Sequence, residues 1–357
     1  MGQREQRALH RAAAKAELGK VRRLLEREPA LAATIDAQLR TALHRVAAGT
    51  SMPTSRQAIA AMLLAAAPQT AAAIDHMGTT ALHAAAGANA LGLVRQLLSA
   101  APAAATMPDF LGRLPIHMAA ARPGGAATVA ALLAVAPWTA MATTQCNATP
   151  LFEAAQADEE SALLLLAEAP AAAAMRLTRL FQVGWTALHA ATQAGRPRVV
   201  AAILEAMPQL ALVGDSDADV PLHWASQFGF DPVHDEIRRR LIAAAPEACL
   251  MQDGDGDTPL MCAAFQGNAG AIAQLLASAP AAASVPNKNG RLPIEAALQR
   301  VATDGAQALA AVRPLLAVGD AADVAAALGK AAADPRQAAA GVQQMAVEFV
   351  ALRSLTC

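Results

Sequence analysis

Tyrosine is absent from this chain of 357 residues, and its only large aromatic side chains are seven phenylalanines and three tryptophans. A core built on aromatic packing is excluded, and any cluster of these few rings becomes correspondingly informative. Nor is there a surplus of positive charge: 28 Lys and Arg stand against 29 Asp and Glu, for a net charge of −1. Binding along a phosphate backbone needs a basic face, so no nucleic-acid partner is expected. Cys146, Cys249, Cys262 and Cys357 are widely spaced with no C-x-x-C pair, which points to reduced thiols in the cytoplasm or nucleus. Met1 to Lys20 is charged from the start and lacks the apolar core of a secretory signal. Gln6 stands where a myristoylation signal needs Ser or Thr. Pro123 to Phe152 carries no charge, but Gly124, Gly125, Pro137, Asn147 and Pro150 interrupt it, so no membrane span is expected. No G-x-S-x-G, phosphate loop, H-E-x-x-H or dinucleotide fingerprint occurs; neither catalysis nor a cofactor is expected.

What abounds is alanine, in a composition that is 55% hydrophobic. Alanine has the best intrinsic helix propensity and lets helices approach closely. The stretch Gly184 to Pro208, GWTALHAATQAGRPRVVAAILEAMP, shows how it is used. Thr186 is placed to cap free backbone N–H groups, Leu188 and Ala191 begin an apolar face, and Gly195 ends the first helix. After Pro197, a second helix sets Val199, Val200, Ile203 and Leu204 on one stripe, and Pro208 lies beyond its end. Neither helix reaches the roughly 12–15 residues at which an isolated helix becomes marginally stable. The pair must stack on copies of itself.

Those copies are countable. The Leu or Ile of the helix-opening tetrapeptide recurs at Leu9, Leu43, Leu82, Ile116, Leu151, Leu188, Leu222, Leu260 and Ile294, in steps of 34, 39, 34, 35, 37, 34, 38 and 34 residues. In phase with them, Pro29, Pro68, Pro102, Pro137, Pro170, Pro208, Pro246 and Pro280 each follow a Leu-rich second helix.

Thr80 to Ala86 (TALHAAA), Thr258 to Ala264 (TPLMCAA) and Val220 to Ala225 (VPLHWA) resemble the opening of the ankyrin repeat, and the resemblance covers roughly residues 7 to 316. It implies an all-α repeat solenoid of about nine stacked units, each two helices and a hairpin finger, that acts by binding another macromolecule. One departure is systematic: Ala-Pro-x-Ala-Ala, as in Ala101 to Ala105 and Ala279 to Ala283, replaces the family's Gly-Ala-Asp. The expected organisation is an N-terminal capping repeat over 1–32, an array over 33–318 and a C-terminal helical cap over 319–357. The cap's last helix, Pro335 to Arg353, is opened by Asp334. Fingers are expected at polar turns such as Asp36 to Arg40, Asp109 to Arg113, Asp215 to Asp219 and Asp253 to Asp257. Three units carry insertions between their helices, Gly49 to Ser55, Arg122 to Gly125 and Phe228 to Asp235; the first two read as neutral length variation.

Six histidines, His10, His44, His83, His117, His189 and His223, share one slot of the repeat. Neighbouring copies are too far apart for a shared ion, and the resemblance implies that this His braces the local turn; His76 and His234, off the slot, read as exposed. Asp253 to Asp257 alternates carboxylates as a calcium loop does, but Thr258 and Ala264 stand where such a loop needs Gly and Glu, so it reads as a fingertip and no metal is expected.

Specificity is sought where copies differ. The variable positions of the first helices, with the aromatics of the same region, give the candidate partner-binding residues Arg122, Gln156, Trp185, Gln193, Trp224, Gln227, Phe228, Phe265, Gln266 and Gln299. A ladder of Gln runs beside seven of the ten aromatics, Phe152, Phe181, Trp185, Trp224, Phe228, Phe230 and Phe265. Exposed rings beside amides suit the centre of a protein interface. Phe152 and Trp224 read as core-adjacent, whereas Trp185, Phe228 and Phe265 read as interface. The expected function is a non-enzymatic scaffold, monomeric in isolation, that holds a partner protein. The alternative is a structural subunit held permanently in a large complex.

Overall fold

The computed structural model describes residues 2–179, 182–228, 231–304 and 306–333. Phe181, Phe230 and the helix expected over Pro335 to Arg353 lie outside the described residues. The chain divides into two compact bodies, Met1–Arg179 and Leu180–Cys357. The first pairs Gly2–Ala14 with Leu18–Arg27, Ala42–Ala47 with Pro53–Ala66, Ala81–Gly87 with Leu91–Ala100, Pro115–Ala120 with Ala126–Leu133, and Pro150–Ala157 with Glu159–Glu168. The second pairs Ala187–Gln193 with Pro197–Ala206, Pro221–Gln227 with Pro232–Ala244, Pro259–Gln266 with Ala269–Ser278, and Pro293–Asp304 with Ala306–Val318, and adds Ala321–Ala333. Within each body first helices pack on first helices and second on second, burying the Leu, Ile and Ala of the repeated frame.

The Ala-Pro-x-Ala-Ala departure has a structural cause. A residue before proline is disfavoured in the helical region, and Ala101 lies outside that region (φ −147°, ψ 81°). Proline then opens a five-residue 3₁₀ turn, as in Pro102–Thr106, that buries Ala104 and Ala105 under the second helix. The second buried position is small in every such turn, Ala or Cys249, whereas the first also takes Leu31 and Leu210.

Each finger is closed by its first residue. Asp109 Oδ1 accepts the amides of Leu111 (2.9 Å) and Arg113 (2.8 Å), and Asp36, Asp75, Asp215, Asp253 and Asn287 repeat the arrangement. The third residue on lies in the left-handed region: Gly112 at φ +76°, but Leu39 at +59°. Successive fingers are joined through the backbone, Phe110 N–H to Met77 O at 3.0 Å in the first body and Ser216 N–H to Val183 O at 2.9 Å in the second.

The slot histidines brace as the resemblance implied. His83 Nδ1 accepts the Thr80 amide at 3.1 Å, and Nε2 reaches the Arg113 carbonyl of the next finger at 2.9 Å. His44, His117, His189 and His223 do the same. The ring must be neutral with its proton on Nε2, and burial drives the pKa of His10, His44, His83 and His223 down and that of His117 to about 4. His10 sits inside a long helix, where its Nδ1 meets no donor. Glu295 stands in for the ring at the ninth repeat: its Oε2 accepts the Leu292 amide at 3.1 Å, and its Oε1 takes Lys330 Nζ at 2.7 Å.

The Gly49 to Ser55 insertion is not neutral variation. It opens the end of the preceding helix, and the buried guanidinium of Arg56 closes it, donating to the carbonyls of Ser51 (2.7 Å), Val46 (2.9 Å) and Ala14 (2.9 Å). A Cβ at Gly49 would stand 1.9 Å from that guanidinium carbon, which is why glycine is there. In the seventh repeat Arg238, 0% exposed, does the same for Ala225 O (2.6 Å) while bonded to Asp235 and to Gln274 Oε1 (3.1 Å).

Candidate functional site

Of the ten candidate residues, Arg122 and Gln156 fall in the first body, the former exposed and the latter half-buried. The other eight lie in the second body. Trp185 is not at the surface: it is 2% exposed. It precedes the helix cap Thr186 and turns inward, because the neighbouring first helix offers a large ring there instead of alanine. Trp224, half-buried, meets it edge-on, with ring centroids 4.6 Å apart at 67°, and its Nε1 donates to Asp215 Oδ2 at 3.3 Å.

Phe228 then stacks on Trp224, centroids 5.7 Å apart and planes within 7°, and is 39% exposed. Three rings thus run from the interior to the surface. Gln193 and Gln299 are exposed, whereas Gln227 and Gln266 are half-buried. Gln227 Nε2 lies 3.8 Å from Cys262 Sγ, and Gln299 accepts from Arg291 Nη1 at 3.2 Å. Phe265 is half-buried, with the Arg291 guanidinium 5.8 Å from its ring centroid. His234 is half-buried rather than exposed, its Nδ1 held at 3.0 Å from Asp231.

Sequence reasoning passed over Asp219. Beside Phe265 a cavity of about 510 Å³ is lined by Asp217, Asp219, Asp253 and Asp255. Burial, reinforced by Asp215, Asp253, Asp217 and Asp255, pushes the Asp219 carboxyl up to about 7, and Asp257 is raised by burial as well. The signal lay in the fingers themselves: Asp at both ends of Asp215 to Asp219 and of Asp253 to Asp257, where the Asp36, Asp109 and Asn287 fingers end in Arg. Asp219, His223 and Asp253 each bring one ligand atom within 4.8 Å of the others. Both nitrogens of His223 are engaged, with the Val220 amide and the Asp257 carbonyl, so this group has the spacing of a metal centre without three open donors.

Paired helices, Asp-closed fingers and the bracing histidine make this an ankyrin repeat protein. Residues 116–212 match the model for ankyrin repeats in three copies, and residues 255–288 match that for a single ankyrin repeat. The crystal structure of the human ASB11 ankyrin repeat domain is similar, with 20% sequence identity and a TM-score of 0.50 over 65% of this chain and 96% of that one. At such identity the likeness concerns the fold. No curated protein sequence matches the chain at a significant level. Among the described residues no helix is long and apolar enough to cross a membrane. Ankyrin repeats are protein-interaction modules, which gives the exposed face of this stack its general role.

Proposed function

We propose that the chain is a non-enzymatic scaffold of the cytoplasm or nucleus that holds a partner protein against the inner helices and fingers of its second body. The observation that carries this reading is Phe228, a phenylalanine 39% exposed yet pinned by stacking on Trp224. A ring already fixed in place loses little freedom when a partner covers it, and such rings dominate interface energetics. Gln193 and Gln299 supply exposed amides in the same body.

The test is affinity capture from the native lysate on the immobilised full chain and on Phe228→Ala. Proteins retained by the first and reduced at least tenfold by the second support the reading; equal retention by both overturns it. Size-exclusion chromatography of the same lysate separates this scaffold, eluting free near 36 kDa, from a subunit found only in high-mass material.

A further inference from the structure

The fingers differ in the residue that ends them. In the Asp36 finger, Arg40 Nε returns to Asp36 Oδ2 at 3.3 Å, and in the Asp109 finger Arg113 Nε returns to Asp109 Oδ2 at 2.8 Å. The same position holds Asp219 in the Asp215 finger and Asp257 in the Asp253 finger. Each of these carries a second carboxylate where the Asp36 and Asp109 fingers carry their own cation. Asn287 Nδ2 donates to Asp257 Oδ1 at 2.8 Å. Asp219 has no such relief: its Oδ1 is buried without a hydrogen-bond partner.

The cavity of about 510 Å³ opens between these two fingers, and Asp219 lines it. We propose that it receives an arginine side chain of the partner protein, which supplies in trans the guanidinium that Arg40 and Arg113 supply to their own fingers. This rests on the reading of the chain as a protein-binding scaffold and specifies what the scaffold holds. A carboxylate oxygen of Asp219 and one of Asp253 lie within 4.8 Å of each other, near enough for one planar guanidinium to bridge them. Phe265 lines the same cavity and offers a ring for that plane to stack on. A hard divalent cation fits less well. It needs six or more oxygens, and Asp253 Oδ1 already accepts the amides of Asp255 and Asp257, while His223 has no free nitrogen.

Selection of twelve-residue peptides displayed on phage against the full chain tests this. The enriched peptides are expected to share an arginine. In the strongest binder, made synthetically, Arg→Gln weakens binding at least tenfold and Arg→Lys at least threefold, because an ammonium lacks the planar fork that engages two carboxylates while stacking on a ring. On the protein side, Asp219→Arg places the guanidinium in cis; it is expected to abolish peptide binding while melting at or above the parent temperature. Should that variant fail to fold, Asp219→Asn is read instead, with at least a fivefold loss expected.

Selected peptides that lack arginine, or that bind Asp219 variants unchanged, overturn the arginine site while leaving the scaffold reading to stand. An empty selection also overturns it, and the scaffold reading is then judged by the Phe228→Ala capture alone. Stoichiometric calcium binding by calorimetry, lost in Asp219→Asn, would reassign the cavity to a metal.

Discussion

Trp224 stands edge-on to Trp185, with 4.6 Å between ring centroids, and so carries an interior contact out to the surface. Trp185 is the foundation of this arrangement and Phe228 its exposed end. Trp185→Ala therefore removes a buried ring and is expected to cost about 3–5 kcal/mol. Phe228→Ala is expected to cost under about 1 kcal/mol, as surface changes do, and to weaken capture by about tenfold. Chemical denaturation of both variants beside a binding assay checks the pair; similar stability losses would place Phe228 in the core with Trp185.

The His83 brace unites three groups, and His83→Ala orphans the Thr80 amide and the Arg113 carbonyl together. A loss of about 2–4 kcal/mol is expected, measurable by urea denaturation. Acid acts on the same bonds. The histidine pKa values are lower folded than unfolded, so the unfolded chain takes up more protons below pH 6.5. The histidine contribution is intact above pH 6.5 and falls away as the pH drops toward 4, by about 1.4 kcal/mol per unit for each fully displaced ring. Melting at pH 7, 6 and 5 in parent and His83→Gln chains reads this, the variant showing the shallower decline.

Asp219 titrates in the opposite sense. Its folded pKa, about 7, exceeds the unfolded value, so its full stability is present below about pH 4 and is lost as the pH rises to 7. Asp219→Asn is expected to raise the second body's melting temperature by about 2–4 °C at pH 8. The gain shrinks steadily toward pH 4. Calorimetry at the two pH values measures it.

Arg238→Met keeps much of the side-chain volume but strands the Ala225 carbonyl and Gln274. A cost of about 2–4 kcal/mol is expected, with hydrogen exchange accelerated first at the end of Pro221–Gln227. Exchange unchanged there would remove the arginine from its role as helix cap.

Leu39→Gly should stabilise the first body by about 0.5–1 kcal/mol, because Leu39 holds a left-handed backbone, φ +59°, that glycine adopts freely. Denaturant midpoints of the two chains decide it.

The repeat frame was legible because it depends on spacing: Leu82, His83 and Pro102 recur in register, and local sequence dictates helix, cap and turn. Phe152 reads correctly as core, since it fills the histidine slot and is buried. Trp185 does not, because whether a ring before the cap turns in or out depends on the residue opposite it on the next first helix, here Trp224. Asp219 was hidden for a related reason: an acidic fingertip looks soluble in one dimension, and only the approach of the Asp253 finger buries it. The arginine staples were equally invisible, since Arg56 and Arg238 have the composition of an exposed helix face.

Those staples bear on how such a chain can be lengthened. Arg56 and Arg238 each accompany an insertion at the end of a first helix, so in these two repeats added length comes with a buried cation. Anyone grafting a recognition loop into the connection between two helices would do well to graft the arginine too, one to two turns into the helix that follows, and, for a staple placed as Arg56 is, to leave a glycine where it passes.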